Sequence, residues 1–257
     1  MPSRLPSADP RLDALRAQVR AIESAGRRDT ASDTLPFGVG ALDCQLADAG
    51  LRRDSLHEVA GEGVGWGDDA AATLFIAGIV ARTHGPVLWA VRGRDLFAPG
   101  LYQAGLDPAR VLYAEARDDA ELLALMEEGL RHPGLGAVVG EARRVATAQT
   151  RRLQLAAEDG QVPALLLKLA PRGGGDPLAL PSAAVTRWRI ASAPSRPVPW
   201  GGLGRPCWQV ACVRQRGGNP FALIVEAPDE TGRLALPARL VDRPAAAGRA
   251  PARAAAG

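Results

Sequence analysis

Short, continuous apolar runs alternate with helical patterns through the middle of this 257-residue sequence, and this alternation limits the fold more than any other feature. The runs occupy five segments, namely Leu56–Ala60, Val87–Val91, Val111–Ala114, Ala137–Val139 and Ala164–Leu167. Their length and continuous apolarity predict strands that are buried on both faces. Strands of this kind separated by helices predict an α/β fold, in which a mostly parallel sheet is flanked by helices on both sides.

Two segments between the runs have clear helical patterns. The first spans Asp119–Arg131, and its apolar residues recur at the helical period: Leu122, Leu123, Met126 and Leu130. The second runs from about Val145 to Asp159, and Gly160 is expected to close it, because glycine commonly ends helices.

The last third of the sequence changes character. The Gly/Pro-rich segment Pro171–Ala183 predicts a loop longer than a plain connection needs, and such loops tend to be functional or mobile. The segments CWQVACVRQR and FALIVEA flank Gly217–Pro220 and predict a C-terminal antiparallel β-hairpin. We expect truncation after Val210 to weaken partner binding more than it unfolds the core.

The composition and patterning predict three regions. Residues 1–34 form an amphipathic helix, with Leu12, Leu15, Val19 and Ile22 at helical spacing, and a polar linker. Residues 35–242 form the α/β core, and residues 243–257 form a disordered basic tail. The N-terminus lacks the apolar segment of a signal peptide, and the sequence contains no membrane-spanning run, so we expect a soluble cytoplasmic protein without a membrane partner.

The segment Gly61–Thr73 joins the first strand to the next helix, where α/β proteins place nucleotide-binding loops. Its candidate residues are four glycines and two aspartates: Gly61, Gly63, Gly65, Gly67, Asp68 and Asp69. A working phosphate-binding loop also needs a lysine that reaches the β and γ phosphates. The only lysine of the chain is Lys168, which ends a different strand. The loop is therefore predicted to be a vestigial nucleotide site.

The two aspartates favour the same interpretation. A carboxylate about 4 Å from a phosphate charge costs about 1–4 kcal/mol in a wet or partly exposed site. We expect Asp68 and Asp69 instead to accept hydrogen bonds from the free N–H groups of the helix that follows. A nucleoside triphosphatase also needs a Mg²⁺-holding carboxylate after its second key strand, where Gly140 stands. Glu141 replaces it only if the strand end is shifted.

Other catalytic and metal-binding patterns are incomplete. His57 and Glu58 begin the metalloprotease pattern H-E-x-x-H, but its second histidine is replaced by Gly61. The sequence lacks G-x-S-x-G, and its cysteines show no C-x-x-C spacing. We therefore predict no catalytic residue, no metal and no cofactor.

The net charge of +3 and the pI of about 9.1 permit nucleic-acid contact without requiring it. Arg144 and Arg151 are seven residues apart and share a helical face if that helix begins early enough. These arginines form either a solvated basic face or a surface for DNA or an acidic partner. The candidates are Arg143, Arg144, Arg151, Arg152, Arg172, Arg187 and Arg189.

Several sequence blocks in order resemble the ImuA family, the RecA-like accessory proteins of bacterial damage-inducible mutagenesis cassettes. They include LPFGVGALD, LHEVAGEGVGWGDDAAATLFIAGIVAR, APGLYQAGLDPARVLYAEA, TRWRIASAPS and GRLALPARLVDRP, within about residues 35–244. The resemblance implies a role in translesion DNA synthesis during the SOS response. It implies as partners an ImuB-type protein related to Y-family polymerases and an error-prone replicative-type DNA polymerase, with a recombinase and single-stranded DNA as further candidates. It also implies association with the nucleoid during DNA damage.

The more distant likeness to RecA recombinases implies a RecA-like core. In those enzymes a catalytic Glu follows the strand that matches VLWAV, where this chain has Arg92. The resemblance places Arg214 and Arg216 where recombinases keep a lysine pair that reaches a neighbouring subunit, so both are candidate contacts. It places the loop from Arg172 to Asp176 where recombinases keep a DNA-binding loop.

Three hypotheses follow from these patterns. The first is a non-catalytic adaptor for translesion synthesis. The second is a divergent DNA-dependent ATPase with an unconventional site. The third is a cell-division inhibitor similar to SulA, which shares the RecA-like resemblance.

Overall fold

The computed structural model describes residues 34–63, 66–93, 96–171, 174–195, 202 and 204–237. The predicted N-terminal helix and the predicted basic tail lie outside the described residues. So do two candidate site residues, Gly65 and Arg172.

A central sheet of eight strands dominates the described structure. Its strands are β3 (Leu56–Gly61), β4 (Val87–Val91), β5 (Val111–Glu115), β6 (Ala137–Ala142), β7 (Ala164–Lys168), β8 (Thr186–Ala193), β9 (Cys207–Gln215) and β10 (Phe221–Glu226). A separate pair is formed by β1 (Thr34–Leu35) and β2 (Leu51–Arg52). The helices are α1 (Gly40–Asp43), α2 (Trp66–Ala81), α3 (Ala98–Gln103), α4 (Asp119–Leu130) and α5 (Thr147–Gly160), with a 3₁₀ turn at Pro108–Arg110.

The strands lie in the order β10-β9-β8-β3-β7-β6-β4-β5. The six strands from β8 to β5 are parallel, because each is connected to the next in the chain through a helix or a long loop. Strands β9 and β10 complete the sheet as an antiparallel hairpin. The predicted mostly parallel sheet with a C-terminal hairpin is therefore confirmed.

Two apolar layers cover the two faces of the sheet. On one face, α2 packs through Phe75 against Trp188, with ring centroids 5.7 Å apart, and Phe37 contacts both rings. On the other face, α4 and α5 bury Met126 and Leu153. None of the described helices has the length and apolarity that crossing a bilayer requires.

The prediction that all five apolar runs are buried on both faces is wrong for β5. This strand is the edge of the sheet, and Leu112 and Tyr113 are 51% and 48% exposed. Composition alone does not distinguish an edge strand from a central one, because both contain β-forming residues.

The C-terminal hairpin belongs to the core. Val210, Cys212 and Val225 are fully buried, and β9 pairs with β8 on one side and β10 on the other. Truncation after Val210 removes most of this interior strand, which argues against the prediction that the cut weakens partner binding more than it unfolds the core.

The end of α5 lies where the sequence predicts it, but glycine is needed there for another reason. Gly160 is the last helical residue, and Gln161 adopts the left-handed conformation with φ of 55°. A Cβ atom on Gly160 would lie 1.7 Å from the carbonyl oxygen of Leu130. Glycine is needed here because α5 closely approaches the end of α4, and not because it supplies the left-handed residue.

Candidate functional site

The parallel strands end at one edge of the sheet, where open α/β sheets bind their ligands. β3 ends at Gly61, β6 at Ala142 and β7 at Lys168, and the register places these ends side by side. The vestigial loop predicted from the sequence follows β3 and therefore lies at this edge.

Asp68 ties the loop to the neighbouring strand. Its Oδ2 accepts a hydrogen bond from the Gly63 N–H at 3.0 Å, and its Oδ1 accepts one from the Ser192 N–H at 2.8 Å. These donors are loop and strand amides and not the first-turn amides of α2 that the sequence predicts. The helix begins at Trp66, so Asp68 lies at its third position and turns back toward the loop.

Asp69 lies against the end of β3. A Cβ atom on Gly61 would lie 2.8 Å from the Asp69 Oδ1, so this close approach requires glycine. Burial raises the pKa of Asp69, the nearby Arg143 opposes this effect, and the charge of Asp68 adds to it. The site therefore disfavours further negative charge at this carboxylate.

Glu141 lies within β6, although the sequence predicts a strand that ends before it. β6 continues to Ala142, three residues beyond the predicted Val139, so the strand end is shifted and Glu141 lies within the strand. Its Oε1 accepts a hydrogen bond from the Trp89 Nε1–H at 2.7 Å. Gly140 faces the opposite side, where a Cβ atom would lie 2.2 Å from the Met126 Sδ. A carboxylate is thus present at the end of β6, one residue after the position expected from sequence.

Asp69 and Glu141 line a cleft of about 540 Å³ between α2, α3 and the ends of β6 and β7, which we call the loop cleft. Most of its lining is apolar, and its ionisable side chains are two carboxylates and one guanidinium. The lining residues are Asp69, Ala70, Thr73, Leu74, Leu96, Phe97, Gly100, Leu101, Glu141, Arg143, Leu167, Leu169 and Ala170.

A second, smaller cleft of about 300 Å³ lies at the same edge, and we call it the arginine cleft. It is lined by Arg92, Asp119, Arg143 and Arg144. Arg92 Nη1 pairs with Asp119 Oδ1 at 2.9 Å, and the Arg144 N–H donates to Asp119 Oδ2 at 2.9 Å. The lining of this cleft therefore contains three arginines and one carboxylate, which leaves an excess of positive charge.

A buried polar cluster accounts for another predicted contact residue. Arg187 Nε donates to Glu58 Oε2 at 2.7 Å, and the Glu58 side chain is 1% exposed. Ser182 donates to the other Glu58 oxygen at 2.8 Å. Arg187 is therefore buried in the interior and does not belong to the surface arginines that were predicted to contact DNA or a partner. Burial lowers the pKa of Lys168, the charge of Glu58 opposes this effect, and the charge of Arg187 adds to it.

The predicted arginines on α5 are exposed but do not extend the arginine cleft along one helical face. α5 begins at Thr147, so Arg144 precedes it and does not share a helical face with Arg151. Arg152 pairs with Glu127 of α4 at 2.6 Å.

The remaining arginines lie on and after β8. Arg189 pairs with Asp176 of the Gly-rich loop at 2.6 Å. Arg214 donates to the Ser182 carbonyl at 2.9 Å, and Arg216 is exposed at the hairpin turn. Gln215 between them is buried and donates to the carbonyls of Gln45 and Asn219. Side chains alternate between the two faces at this end of β9, so Arg214 and Arg216 are exposed to solvent. The buried Gln215 stabilises the turn through its hydrogen bond to the Asn219 carbonyl.

Two residues of the site were missed by sequence reasoning. Trp89 is fully buried in β4 and positions Glu141 through its indole N–H. Phe97 precedes α3 and is 70% exposed while it also lines the loop cleft. The available signal was the apolar pair Leu96-Phe97, which comes directly after the polar segment RGRD that follows a predicted strand.

No family model matches the chain. It is 41% identical over 228 residues to Protein ImuA of Caulobacter vibrioides strain NA1000 / CB15N, which covers 85% of this chain and 93% of that protein. Protein ImuA of strain ATCC 19089 of the same species gives the same values. Among solved structures, the RadB recombinase superposes with a TM-score of 0.57 at 14% identity, covering 79% of this chain and 100% of that chain. The likeness to the recombinase confirms the RecA-like fold.

Proposed function

The chain belongs to the ImuA family, and from this premise we propose that it is a non-catalytic adaptor with a RecA-like core that supports error-prone translesion DNA synthesis in the SOS response. It binds protein partners and does not turn over nucleotide. The observation that carries the proposal is the environment of the loop after β3. There the Gly63 N–H already donates a hydrogen bond to Asp68, and no lysine follows the glycines.

The physical support is electrostatic. A nucleoside triphosphate brings several negative charges, and a phosphate-binding loop holds them with amides, a lysine and Mg²⁺. In this chain the comparable edge carries Asp68, Asp69 and Glu141, while Lys168 is buried on the other side of the sheet beside Glu58. Binding of a triphosphate would therefore add like charges to these carboxylates without the lysine that compensates them, and Arg143 is the one guanidinium in the lining of the loop cleft.

The proposed partners are the ImuB-type protein, the error-prone replicative-type polymerase and the recombinase. Single-stranded DNA is a further proposed ligand of the arginine cleft, because Arg92, Arg143 and Arg144 there outnumber the single carboxylate of Asp119. We propose that Arg214 and Arg216 form a separate contact surface at the hairpin.

The proposal is tested by measuring ATP hydrolysis with and without single-stranded DNA, and binding to each purified partner. We expect hydrolysis at the buffer background and saturable binding to at least one of the three proteins. Hydrolysis that is well above background and is lost in Glu141→Gln contradicts a non-catalytic role. The same variant also controls for a contaminating ATPase, whose activity it leaves unchanged.

One observation favours the second hypothesis, a divergent DNA-dependent ATPase. Glu141 lies in β6 and faces the loop cleft, so a carboxylate is available near the position where nucleoside triphosphatases hold Mg²⁺. The hydrogen bond from Trp89 already uses one of its oxygens. Tight ATP binding that survives Asp68→Ala and Asp69→Ala, and is lost in Arg92→Ala, would favour this alternative over the adaptor.

A further inference from the structure

The loop cleft is an apolar cavity at a position where the fold of a nucleotide-binding protein would be polar. Leu74 of α2, Leu101 of α3 and Leu167 of β7 all line it. Its volume of about 540 Å³ lies within the range of about 300–1,000 Å³ that is typical of ligand pockets. An occupant must therefore offer apolar surface to this cavity.

The charges of the cleft define the polar part of that occupant. Asp69 and Glu141 contribute two carboxylates, and Arg143 contributes one guanidinium, which already donates to the Ala170 carbonyl at 2.6 Å. The net charge of the lining is negative, and burial of Asp69 makes added negative charge costly. Charge complementarity therefore favours a cation and opposes a phosphate.

The apolar surface continues beyond the cavity. Phe97 lines the cleft and is 70% exposed, so much of its ring faces outward from the rim. Protein interfaces are typically built in this way, with an apolar pocket bordered by an aromatic side chain that a partner covers. A small amine inside the cavity would leave most of this ring in water, whereas a protein segment covers the cavity and the rim together.

We propose that the loop cleft binds a protein segment in which an apolar side chain fills the cavity and a neighbouring lysine or arginine pairs with Asp69. Phe97 packs on the segment from the rim. This inference rests on the proposed adaptor function and assigns its contact site. The edge that phosphate-binding relatives of the fold use for nucleotide then serves here to bind a protein.

The first experiment measures binding of the purified full-length chain to the ImuB-type protein, the polymerase and the recombinase by calorimetry. We expect Phe97→Ala to weaken binding to one of them about 10- to 30-fold. Tyr102→Ala is the matched control, because Tyr102 is 65% exposed near the end of α3, the helix that Phe97 precedes, but does not line the cleft. This control should change the affinity less than twofold.

A second pair of variants tests the cation. Asp69→Asn keeps the shape of the side chain, removes its charge and should weaken binding about 3- to 10-fold, with a smaller dependence on salt. Asp159→Asn removes an exposed carboxylate at the end of α5, outside the cleft, and should have no effect. Circular dichroism of each variant verifies that the fold is retained.

The indole N–H of Trp89 provides a direct readout, because it donates to Glu141 within the cleft. In a ¹⁵N-labelled sample this signal, assigned with Trp89→Phe, should shift or broaden when the partner is added. ATP with Mg²⁺ serves as the competing probe and should leave the signal unchanged. A signal that responds to ATP and not to any partner overturns the inference.

The outcomes separate the inference from the proposed function. Wild-type binding that Phe97→Ala and Asp69→Asn leave intact overturns the cleft as the contact site, while the adaptor function stands. Wild-type protein that binds none of the three partners contradicts both. Loss of binding in the two cleft variants, with normal binding in Tyr102→Ala and Asp159→Asn, supports both.

Discussion

Protonation of His57 should destabilise the fold in a narrow and measurable pH range. His57 lies in β3 and is 1% exposed. Its Nε2 lies 2.8 Å from the Arg52 carbonyl oxygen, which only accepts hydrogen bonds, so Nε2 carries the hydrogen. Its Nδ1 lies 2.8 Å from the Thr186 hydroxyl and accepts from it, while that hydroxyl accepts from the Trp188 indole at 2.6 Å. The neutral tautomer satisfies every one of these bonds.

The magnitude follows from the pKa of His57. Burial lowers it from 6.5 to about 4, and the charge of Asp54 only partly opposes this effect. The unfolded chain therefore binds a proton below pH 6.5, whereas the folded protein resists it until about pH 4. The stabilisation is present above pH 6.5 and is lost as the pH falls through this window, by about 3 kcal/mol in total and about 1.8 kcal/mol between pH 7 and pH 5.

The assay is guanidinium unfolding at pH 7, 6 and 5, above the range where most carboxylates titrate. We compare the wild type with His57→Gln, which keeps a neutral donor and acceptor, and with His132→Gln, which changes an exposed histidine on the surface. The raised pKa of Asp69 contributes equally to all three proteins, so it cancels in the differences. The wild type and His132→Gln should lose about 1.8 kcal/mol more than His57→Gln. Equal pH dependence in the wild type and His57→Gln would refute the reasoning.

Three further outcomes are expected from the same structure. Glu58→Ala leaves Arg187 buried without its carboxylate and should lower the free energy of unfolding by about 3–5 kcal/mol. The double variant Glu58→Leu, Arg187→Met removes both charges and should recover much of this loss. Chemical denaturation measures both effects. Gly140→Asp places a side chain 2.2 Å from a methionine sulfur and should destabilise the fold by about 1–3 kcal/mol in thermal melts, without producing ATPase activity. Arg144→Ala should weaken binding of single-stranded DNA and reduce the salt dependence of that binding, as measured by fluorescence anisotropy titrations. Arg117→Ala is the control, because it changes an exposed arginine outside the arginine cleft, and it should leave DNA binding unchanged.

The fold was predictable because the apolar pattern is strong and local. Continuous apolar runs such as Val87–Val91 identify strands that pack on both faces, and the glycine-containing turn at Gly217–Pro220 identifies the hairpin. The order of strands is a property of distant pairing, which no local pattern contains. This is why β5 was expected in the interior although it is an edge, with Tyr113 half exposed.

The site was less predictable, for the same physical reason. The glycines and aspartates of the loop were visible in the sequence, but the partner of Asp68 is Ser192, which is 124 residues away along the chain. The strand was predicted to end at Val139, where apolarity stops, which placed Glu141 two residues beyond it, whereas backbone pairing continues to Ala142. Apolar content marks the buried part of a strand, and hydrogen bonding to its neighbours determines where it ends.

The two clefts at the sheet edge have opposite character and meet at one residue. Arg143 lines both, and its guanidinium donates to the Ala170 carbonyl at the end of β7. In the loop cleft this guanidinium opposes the pKa rise of Asp69 and so favours the charged carboxylate, while its own positive charge offsets part of the negative charge of the lining. In the arginine cleft the same group adds to the positive charge around Asp119. An occupant that draws Arg143 toward one cleft therefore alters the charge of the other, so a protein segment and an anion bound at this edge would influence each other through a single side chain.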